Sequence, residues 1–357
     1  MGSGVYRVHG MMQSYFTRKM TGYLDYKGIP WRFRPFAGMS PEAMAAGFPG
    51  GVPLVESPAG ELMWDSTSMI HHLELAFPEP SILPTDPVQR FLCYLLEDAA
   101  DEWLYRPAVG TRWHFAENAA VAGYELARDI AAVMPVSCDQ AHAVVGAHVR
   151  SSCPPLGVTD DNVQTWVDDV LRPWMRLLDE HLADRPYLFG ARASLADFAL
   201  FGGNAAHFAN DPLCRRWLDE DAPAVVKHTY RLMHDAGDGR GAWDDPGETP
   251  ATLTALVAEL ARVYLPWVSR ACADGVADVA FANGTRTPVS ATPFLREARA
   301  TLMARYRAAR SARLDAVLAA AGALRYFTDW LDGAGTIPDY RQPPRPSLNR
   351  PFPPAEG

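Results

Sequence analysis

Two short motifs, Val52-Pro53 and Asp65-Ser66, have the chemistry to bind a small zwitterionic peptide together. If the Val52-Pro53 bond is cis, the backbone N–H and C=O of Val52 are free to pair with an extended ligand. The N–H groups of Ser66 and Thr67, with the Ser66 hydroxyl, would attract a carboxylate at the positive end of a helix. The carboxylate of Asp65 would hold an ammonium group. The motifs therefore predict a site for a carbon that carries both charges.

The residues around these motifs predict a β-hairpin that is followed at once by a helix. Two apolar runs, Leu54-Val55-Glu56 and Leu62-Met63-Trp64, are separated by Ser57-Pro58-Ala59-Gly60, which is a turn composition. Asp65-Ser66 is a helix start signal. One face of that helix is apolar: Met69, Ile70, Leu73 and Phe77. Structural roles alone also explain both motifs, because a proline can open a strand and an aspartate can cap a helix.

Residues 4–82 predict a thioredoxin-like α/β domain, in which strand, helix, strand, helix, hairpin and helix follow in that order. This order and the two motifs resemble the glutathione S-transferase superfamily, and the thirteen-residue step from Pro53 to Ser66 is similar to its omega-type members. The resemblance implies that glutathione is the co-substrate and that the chain forms a homodimer. It also implies which residues contact the γ-glutamyl end: Val52, Pro53, Asp65 and Ser66.

The resemblance places the catalytic residue at Ser14, at the start of the first predicted helix. A hydroxyl that donates to a thiolate, together with the positive helix end, would lower the pKa of a bound thiol from about 8.5. A depression of about two pH units corresponds to roughly 2.7 kcal/mol. Serine forms no mixed disulfide, so thiol addition or isomerisation fits better than reduction. Alternatively, Ser14 is a plain N-cap, and Tyr15 and His9 are the fallback donors.

One part of the family pattern is missing. Relatives usually carry lysine, glutamine or histidine before the Val-Pro step to bind the glycyl carboxylate, and residues 38–51 contain none of them. Arg32 or Arg34 on the second predicted strand would have to replace that residue. Otherwise the ligand is another low-molecular-weight thiol.

Residues 88–235 predict an all-helical second domain. Within it, Ser194-Leu195-Ala196-Asp197 matches the second-domain signature of the family, and Ser194 and Asp197 are spaced as a capping box. The resemblance puts the electrophile pocket along the first helix of this domain. Three aromatic residues there would bind a small hydrophobic electrophile: Trp103, Tyr105 and Trp113. Packing in the core would explain the same three residues.

Residues 245–340 predict a helical extension that packs on the second domain. Thr249-Pro250 opens an amphipathic helix whose apolar face needs a partner, and further helices are predicted over residues 291–309 and 311–331. Residues 341–357 predict a Pro-rich tail without fixed structure.

Composition limits the function and the compartment. The formal net charge of −9 argues against nucleic-acid binding, and no apolar run is long enough to predict a membrane span. The five cysteines are scattered, which favours free thiols in a reducing compartment, so we expect a cytoplasmic protein. Cys138, His142, His148 and Cys153 lack a regular ligand spacing, and no metal site is predicted.

The sequence therefore predicts a glutathione transferase-like enzyme that activates a small thiol for addition to a hydrophobic electrophile. Thiol-dependent double-bond isomerisation is the first alternative. The second alternative is a non-catalytic binding or scaffold protein, which the long extension and the missing glycyl-binding residue favour.

Overall fold

The computed structural model describes residues 4–36, 38, 41–45, 47–234, 237, 239–329 and 335–341. Its N-terminal part contains four strands and three helices: β1 (Tyr6–Gly10), α1 (Tyr15–Tyr26), β2 (Trp31–Pro35), α2 (Pro41–Ala45), β3 (Leu54–Glu56), β4 (Leu62–Met63) and α3 (Ser66–Ala76). The sheet order is β2-β1-β3-β4. Strand β1 is parallel to β2 and antiparallel to β3, and β3 is antiparallel to β4. The predicted thioredoxin-like order is confirmed.

Local chemistry fixes the ends of these elements. Gly28 adopts φ +61° just after α1, a conformation that costs glycine little. Pro53 precedes β3, where its missing N–H removes no ladder hydrogen bond. The Ser57 hydroxyl accepts hydrogen bonds from the N–H groups of Ala59 and Glu61 at 3.2 and 3.1 Å. These bonds shape the turn that joins β3 to β4.

The helical part begins at Pro87: α4 (Pro87–Ala99), α5 (Tyr105–His114), α6 (Ala116–Ala131), α7 (Cys138–Arg150), α8 (Val163–Trp166), α9 (Arg172–Leu182), α10 (Leu195–Gly203), α11 (Pro212–Asp221) and α12 (Pro223–His234). Three π-helical segments continue α4, α8 and α10: Ala100–Leu104, Val167–Leu171 and Asn204–Phe208. A π turn leaves a carbonyl free for another partner. The Tyr15 hydroxyl donates to Ala100 O at 2.8 Å, and Arg112 donates to Ala206 O. The predicted capping box of Ser194 and Asp197 is confirmed.

The extension contains helices and one hairpin: α13 (Ala251–Arg262), α14 (Tyr264–Asp274), β5 (Val276–Ala280), β6 (Arg286–Ser290), α15 (Pro293–Ala309), α16 (Ala312–Ala320) and α17 (Arg325–Thr328). The hairpin corrects the expectation of a purely helical extension. Its turn contains Asn283-Gly284, with Gly284 at φ +87°, which is a strong hairpin signal. Among the described residues, α13 and α14 meet the length and apolarity of a membrane span only together, across a 40° bend. The predicted tail beyond residue 341 lies outside the described residues.

The three parts of the chain pack on one another. Helix α1 lies so close to α10 that a Cβ on Gly202 would stand 2.6 Å from Tyr15 O. On the other side, the ring of Phe91 in α4 contacts Tyr306 and Phe327 of the extension at centroid distances of 5.7 and 5.4 Å. The division into domains at residues 82, 235 and 245 remains a prediction. The contacts described above cross these boundaries, so they do not mark where one domain ends and the next begins.

Candidate functional site

A cleft opens at the N-terminus of α3. It is lined by residues 48–53, by residues 64–66 at the start of α3, by Phe16 of α1 and by Phe294 of α15. The fold thus brings the two motifs predicted to bind a zwitterionic peptide to one place. Outside the two motifs the lining is apolar and includes the aromatic side chains of Phe16, Trp64 and Phe294.

One edge of the cleft is the backbone at Val52. The Val52-Pro53 peptide bond is cis, and Pro53 is buried. Among the described residues, neither the N–H nor the C=O of Val52 makes a hydrogen bond to another backbone group. This edge can therefore pair with an extended ligand, as an added strand would.

Another edge of the cleft is the first turn of α3. Asp65 has φ +71° and caps the helix, and its Oδ1 accepts from the N–H groups of Thr67 and Ser68 at 3.1 and 3.3 Å. The Thr67 N–H, which was expected to serve a ligand, is therefore used by Asp65. Ser66 is only 5% exposed, and its N–H and hydroxyl have no partner among the described residues. Ser66 is the group at this edge that can receive a carboxylate.

A buried cluster of charged residues lies directly under the first turn of α3. Lys19 Nζ donates to Glu97 Oε1 at 2.6 Å, to Asp101 Oδ2 at 2.5 Å and to Thr67 Oγ1 at 3.1 Å. Thr67 Oγ1 also donates to Glu97 Oε1 at 2.5 Å. The cluster joins α1 and α3 of the N-terminal part to α4 and to the π-helical segment after it. It therefore fixes the start of α3, which lines the cleft, against the helical part.

The pKa values of the two carboxylates in this cluster are shifted in opposite directions. Burial opposes the charged form of Lys19, but Asp101 and Glu97 outweigh it and raise the pKa of the ammonium. Burial raises the pKa of Asp101 to about 7, whereas Lys19 holds the pKa of Glu97 below its ordinary value against the effect of burial. The one sequence feature that relates to this cluster is the scarcity of lysine. The chain has three lysines, and two of them are buried in ion pairs: Lys19 in this cluster, and Lys27 at 2.7 Å from Glu74.

Ser14 is the N-cap of α1, and its Oγ accepts from the Thr17 N–H at 3.3 Å. An accepting hydroxyl keeps its own proton available to a thiolate. Ser14 is not among the residues that line the cleft, although Phe16 of the same helix is. Of the fallback donors, Tyr15 is 1% exposed and its hydroxyl is committed to Ala100 O. His9 lies 3.7 Å from Glu56 and does not line the cleft.

Among the described residues, no cation lines the part of the cleft where a glycyl carboxylate would lie. Arg32 and Arg34 are exposed on β2 and are not among the lining residues. The loop over residues 48–51 carries no hydrogen-bonding side chain. The expected substitution of an arginine for the missing family residue is therefore absent from the described part of the cleft.

The three aromatic residues predicted to line an electrophile pocket lie apart. Trp103 is 3% exposed and packs on Trp166 at a centroid distance of 4.8 Å. Trp113, also 3% exposed, belongs to a separate cluster with α6 and α7. Only Tyr105 approaches the cleft, since its ring lies 5.3 Å from that of Phe16. Trp103 and Trp113 are core residues, because both are buried and they pack in two different clusters away from the cleft lining.

Residues 8–81 match the family model described as glutathione S-transferase, N-terminal domain. The chain is similar to a maleylacetoacetate isomerase from Pseudomonas aeruginosa, with 24% identity over 179 residues, which is 50% of this chain and 67% of that relative. Its structure is similar to a glutathione S-transferase from Rhodospirillum rubrum F11, with a TM-score of 0.43, 17% identity, and coverage of 71% and 91% of the two chains. For the β-etherase LigF from Sphingobium sp. strain SYK-6, the TM-score is 0.46, the identity 19%, and the coverage 64% and 95%.

Proposed function

Because the match over residues 8–81 makes this chain a member of the glutathione S-transferase superfamily, we propose that it is an enzyme that uses glutathione as its thiol co-substrate. The observation that carries the proposal is that one cleft contains two groups without a hydrogen-bond partner among the described residues. They are the backbone of Val52 and the N–H and hydroxyl of Ser66. A γ-glutamyl-cysteinyl backbone would pair with Val52, and its α-carboxylate would lie on the Ser66 N–H and hydroxyl.

In this proposal the thiol lies near the start of α1. The hydroxyl of Ser14 donates to the thiolate, and the positive end of α1 favours the same charge. The thiolate then adds to a hydrophobic electrophile. Its electron pair forms the new C–S bond while the π bond at the attacked carbon breaks, and the resulting carbanion takes up a proton or, in a chloronitrobenzene, expels chloride. Phe16, two residues after Ser14, and the ring of Tyr105 that packs on it offer apolar surface for the electrophile.

Isomerisation of a double bond is the second candidate, and the similarity to maleylacetoacetate isomerase favours it. The same thiolate would add to one carbon of the double bond, the single bond would rotate, and the thiolate would leave again. This reaction returns the thiol unchanged, so product analysis separates it from conjugation.

Glutathione affinity and turnover of a chloronitrobenzene electrophile test the proposal. Wild type should bind glutathione, and Ser14→Ala should lower turnover at least tenfold with a smaller effect on affinity, because the hydroxyl acts on the thiolate more than on binding. The pKa of the bound thiol, followed by its ultraviolet absorbance, should rise in the same variant. A wild-type protein that neither binds glutathione nor turns over would instead support the scaffold alternative.

Ser311→Ala is the matched control. Ser311 caps α16 and accepts from the N–H three residues on, at 3.2 Å, as Ser14 does in α1. Each substitution should lower the free energy of unfolding by about 1 kcal/mol through loss of a cap. Only Ser14→Ala should change turnover. Equal loss of turnover in both variants would mean that stability, and not chemistry, explains the effect of Ser14.

A further inference from the structure

A second pocket lies in the helical part of the chain, between the end of α9 and the first half of α12. It is lined by residues 182–186, at the end of α9 and just after it, and by Ala224, Lys227, His228 and Arg231 of α12. None of these residues lines the cleft at the N-terminus of α3. The pocket is therefore distinct from the cleft, and the proposed function gives it no ligand.

The lining of this pocket carries more positive than negative charge, although the whole chain has a formal net charge of −9. Its charged side chains are those of Arg185, Lys227 and Arg231, and the carboxylate of Asp184. Arg185 forms an ion pair with Asp244, which does not line the pocket. Lys227 and Arg231 have no carboxylate partner among the described residues. Two cations in the lining are thus available to an anion.

The positions of Lys227 and Arg231 on α12 bring these two cations together. They are four residues apart, so their side chains lie on one face of the helix, and like charges at this spacing repel each other. Arg231 donates to Pro186 O at 2.9 Å, which holds its guanidinium against the segment after α9. Lys227 is exposed, whereas the other two lysines of the chain are buried in ion pairs. An anion between Lys227 and Arg231 would relieve their repulsion.

His228 is the most buried polar side chain of this pocket, with 1% exposure. Its Nε2 lies 2.9 Å from Oδ1 of Asp197, the carboxylate of the capping box at the start of α10. The other ring nitrogen, Nδ1, is buried and makes no hydrogen bond among the described residues. Most buried polar atoms in folded proteins have a partner, and a bound ion or water is one explanation for an atom that lacks one. Because His228 lines the pocket, an anion bound there would lie beside this ring.

We propose that this pocket binds a phosphate group, either of free phosphate or of a small phosphate monoester. Arginine binds phosphate oxygens through its paired N–H groups, and lysine binds them as a point charge. The donors belong to α12 and to the segment after α9, so they approach an anion from two elements, which suits a tetrahedral group better than a flat carboxylate. A hydrogen phosphate also carries a hydroxyl that can donate to His228 Nδ1, while its other oxygens accept from Lys227 and Arg231. Leu182 and Pro186 give the lining an apolar part for the organic group of an ester.

Titration calorimetry with sodium phosphate, at an ionic strength held constant with chloride, tests the proposal. Wild type should bind phosphate saturably. Lys227→Gln and Arg231→Gln should each weaken binding by about fivefold or more, because each removes a charge-assisted contact. Arg231→Lys keeps the charge but not the paired N–H groups, so its affinity should lie between those of wild type and Arg231→Gln. Phenyl phosphate separates the two sources: binding tighter than that of phosphate indicates an ester, and equal or weaker binding indicates free phosphate.

Arg270→Gln and Ser66→Ala are the controls. Arg270 is an exposed arginine of α14 that does not line the pocket, so its substitution removes the same charge elsewhere on the chain. Ser66 lies in the cleft, where the proposed function places a carboxylate, so its substitution shows which of the two sites phosphate occupies. Neither variant should change the affinity for phosphate by more than about twofold, because a distant exposed charge is screened by salt.

Three outcomes would overturn the proposal. The first is the absence of saturable binding to wild type, or an equal loss of affinity in Arg270→Gln. The second is a loss in Ser66→Ala alone, which would place the anion in the cleft. The third is tighter binding of succinate than of phosphate with the same dependence on Lys227, which would make the ligand a dicarboxylate. Lys227 is exposed, so Lys227→Gln keeps the test valid if Arg231→Gln proves unstable, and thermal unfolding of each variant without phosphate checks its fold.

Discussion

Asp101 is a buried carboxylate that the fold keeps protonated more readily than the unfolded chain does. Its pKa is raised by burial from 3.8 to about 7. A raised carboxyl pKa contributes stability that is full below about pH 4 and is lost as the pH rises through about 7. Between these values the free energy of unfolding should fall by up to ~1.4 kcal/mol per pH unit relative to Asp101→Asn, which has no such proton.

Urea unfolding of wild type and Asp101→Asn at several pH values between about 4.5 and 7.5 measures this difference. The free energy of unfolding of Asp101→Asn should rise relative to that of wild type as the pH rises. The asparagine has the shape of the aspartate but never adds a second negative charge beside Glu97. Asp278→Asn, which removes an exposed carboxylate of β5, is the control, and its free energy of unfolding should change with pH as that of wild type does. A constant difference between wild type and Asp101→Asn over the whole range would show that the proton on Asp101 does not contribute.

Secondary structure with a local signal was predictable from the sequence. The order of strands and helices to residue 77, the glycine after α1 and the capping box at Ser194 depend on residues a few positions apart. Contacts over long sequence separations were not predictable. Trp103 was expected at a pocket, but it packs on Tyr264 and Trp267 at 5.6 and 5.7 Å, residues that only the folded extension brings near. The presence of Phe294 in the cleft had no sequence signal for the same reason.

The loop between α2 and β3 should give the site little preference for glycine at the end of the ligand. Its residues 48–51 offer no cation or amide side chain, and Arg32 and Arg34 are not among the residues that line the cleft. Glutathione and γ-glutamylcysteine should therefore bind with affinities within about threefold, since a charge-assisted contact to the glycyl carboxylate would separate them by more. Titration calorimetry with both thiols measures this ratio.

Arg32→Ala and Arg34→Ala are the controls for the loop, and neither should change the ratio of the two affinities. A preference for glutathione above about tenfold would mean that a carboxylate-binding group reaches the ligand. If one arginine variant removed that preference, it would identify the group.

The extension occupies surfaces of α3 and α4 that would otherwise be available to another molecule. Phe91 of α4 packs on Tyr306 and Phe327, and His71 of α3 lies under Tyr340. A homodimer, which the family resemblance implies, must therefore be built on other faces of the chain. The same packing makes the extension part of the cleft and of the core, so stability and ligand binding should respond together to its removal.

A chain that ends after Asp245 should fail to fold into a soluble monomer. It would expose Phe91, Trp103 and Trp166, and each large apolar side chain left in water costs about 1.5–3 kcal/mol, so the sum approaches the whole stability of a typical domain. Dye binding to exposed apolar surface and light scattering measure this outcome. A chain that ends after Asp329 keeps α13 to α17, and should fold while losing the aromatic stacking on His71, worth about 0.5–1.5 kcal/mol. If the shorter chain were monomeric, folded and unchanged in glutathione affinity, the extension would be an independent unit and its place in the cleft would have no functional effect.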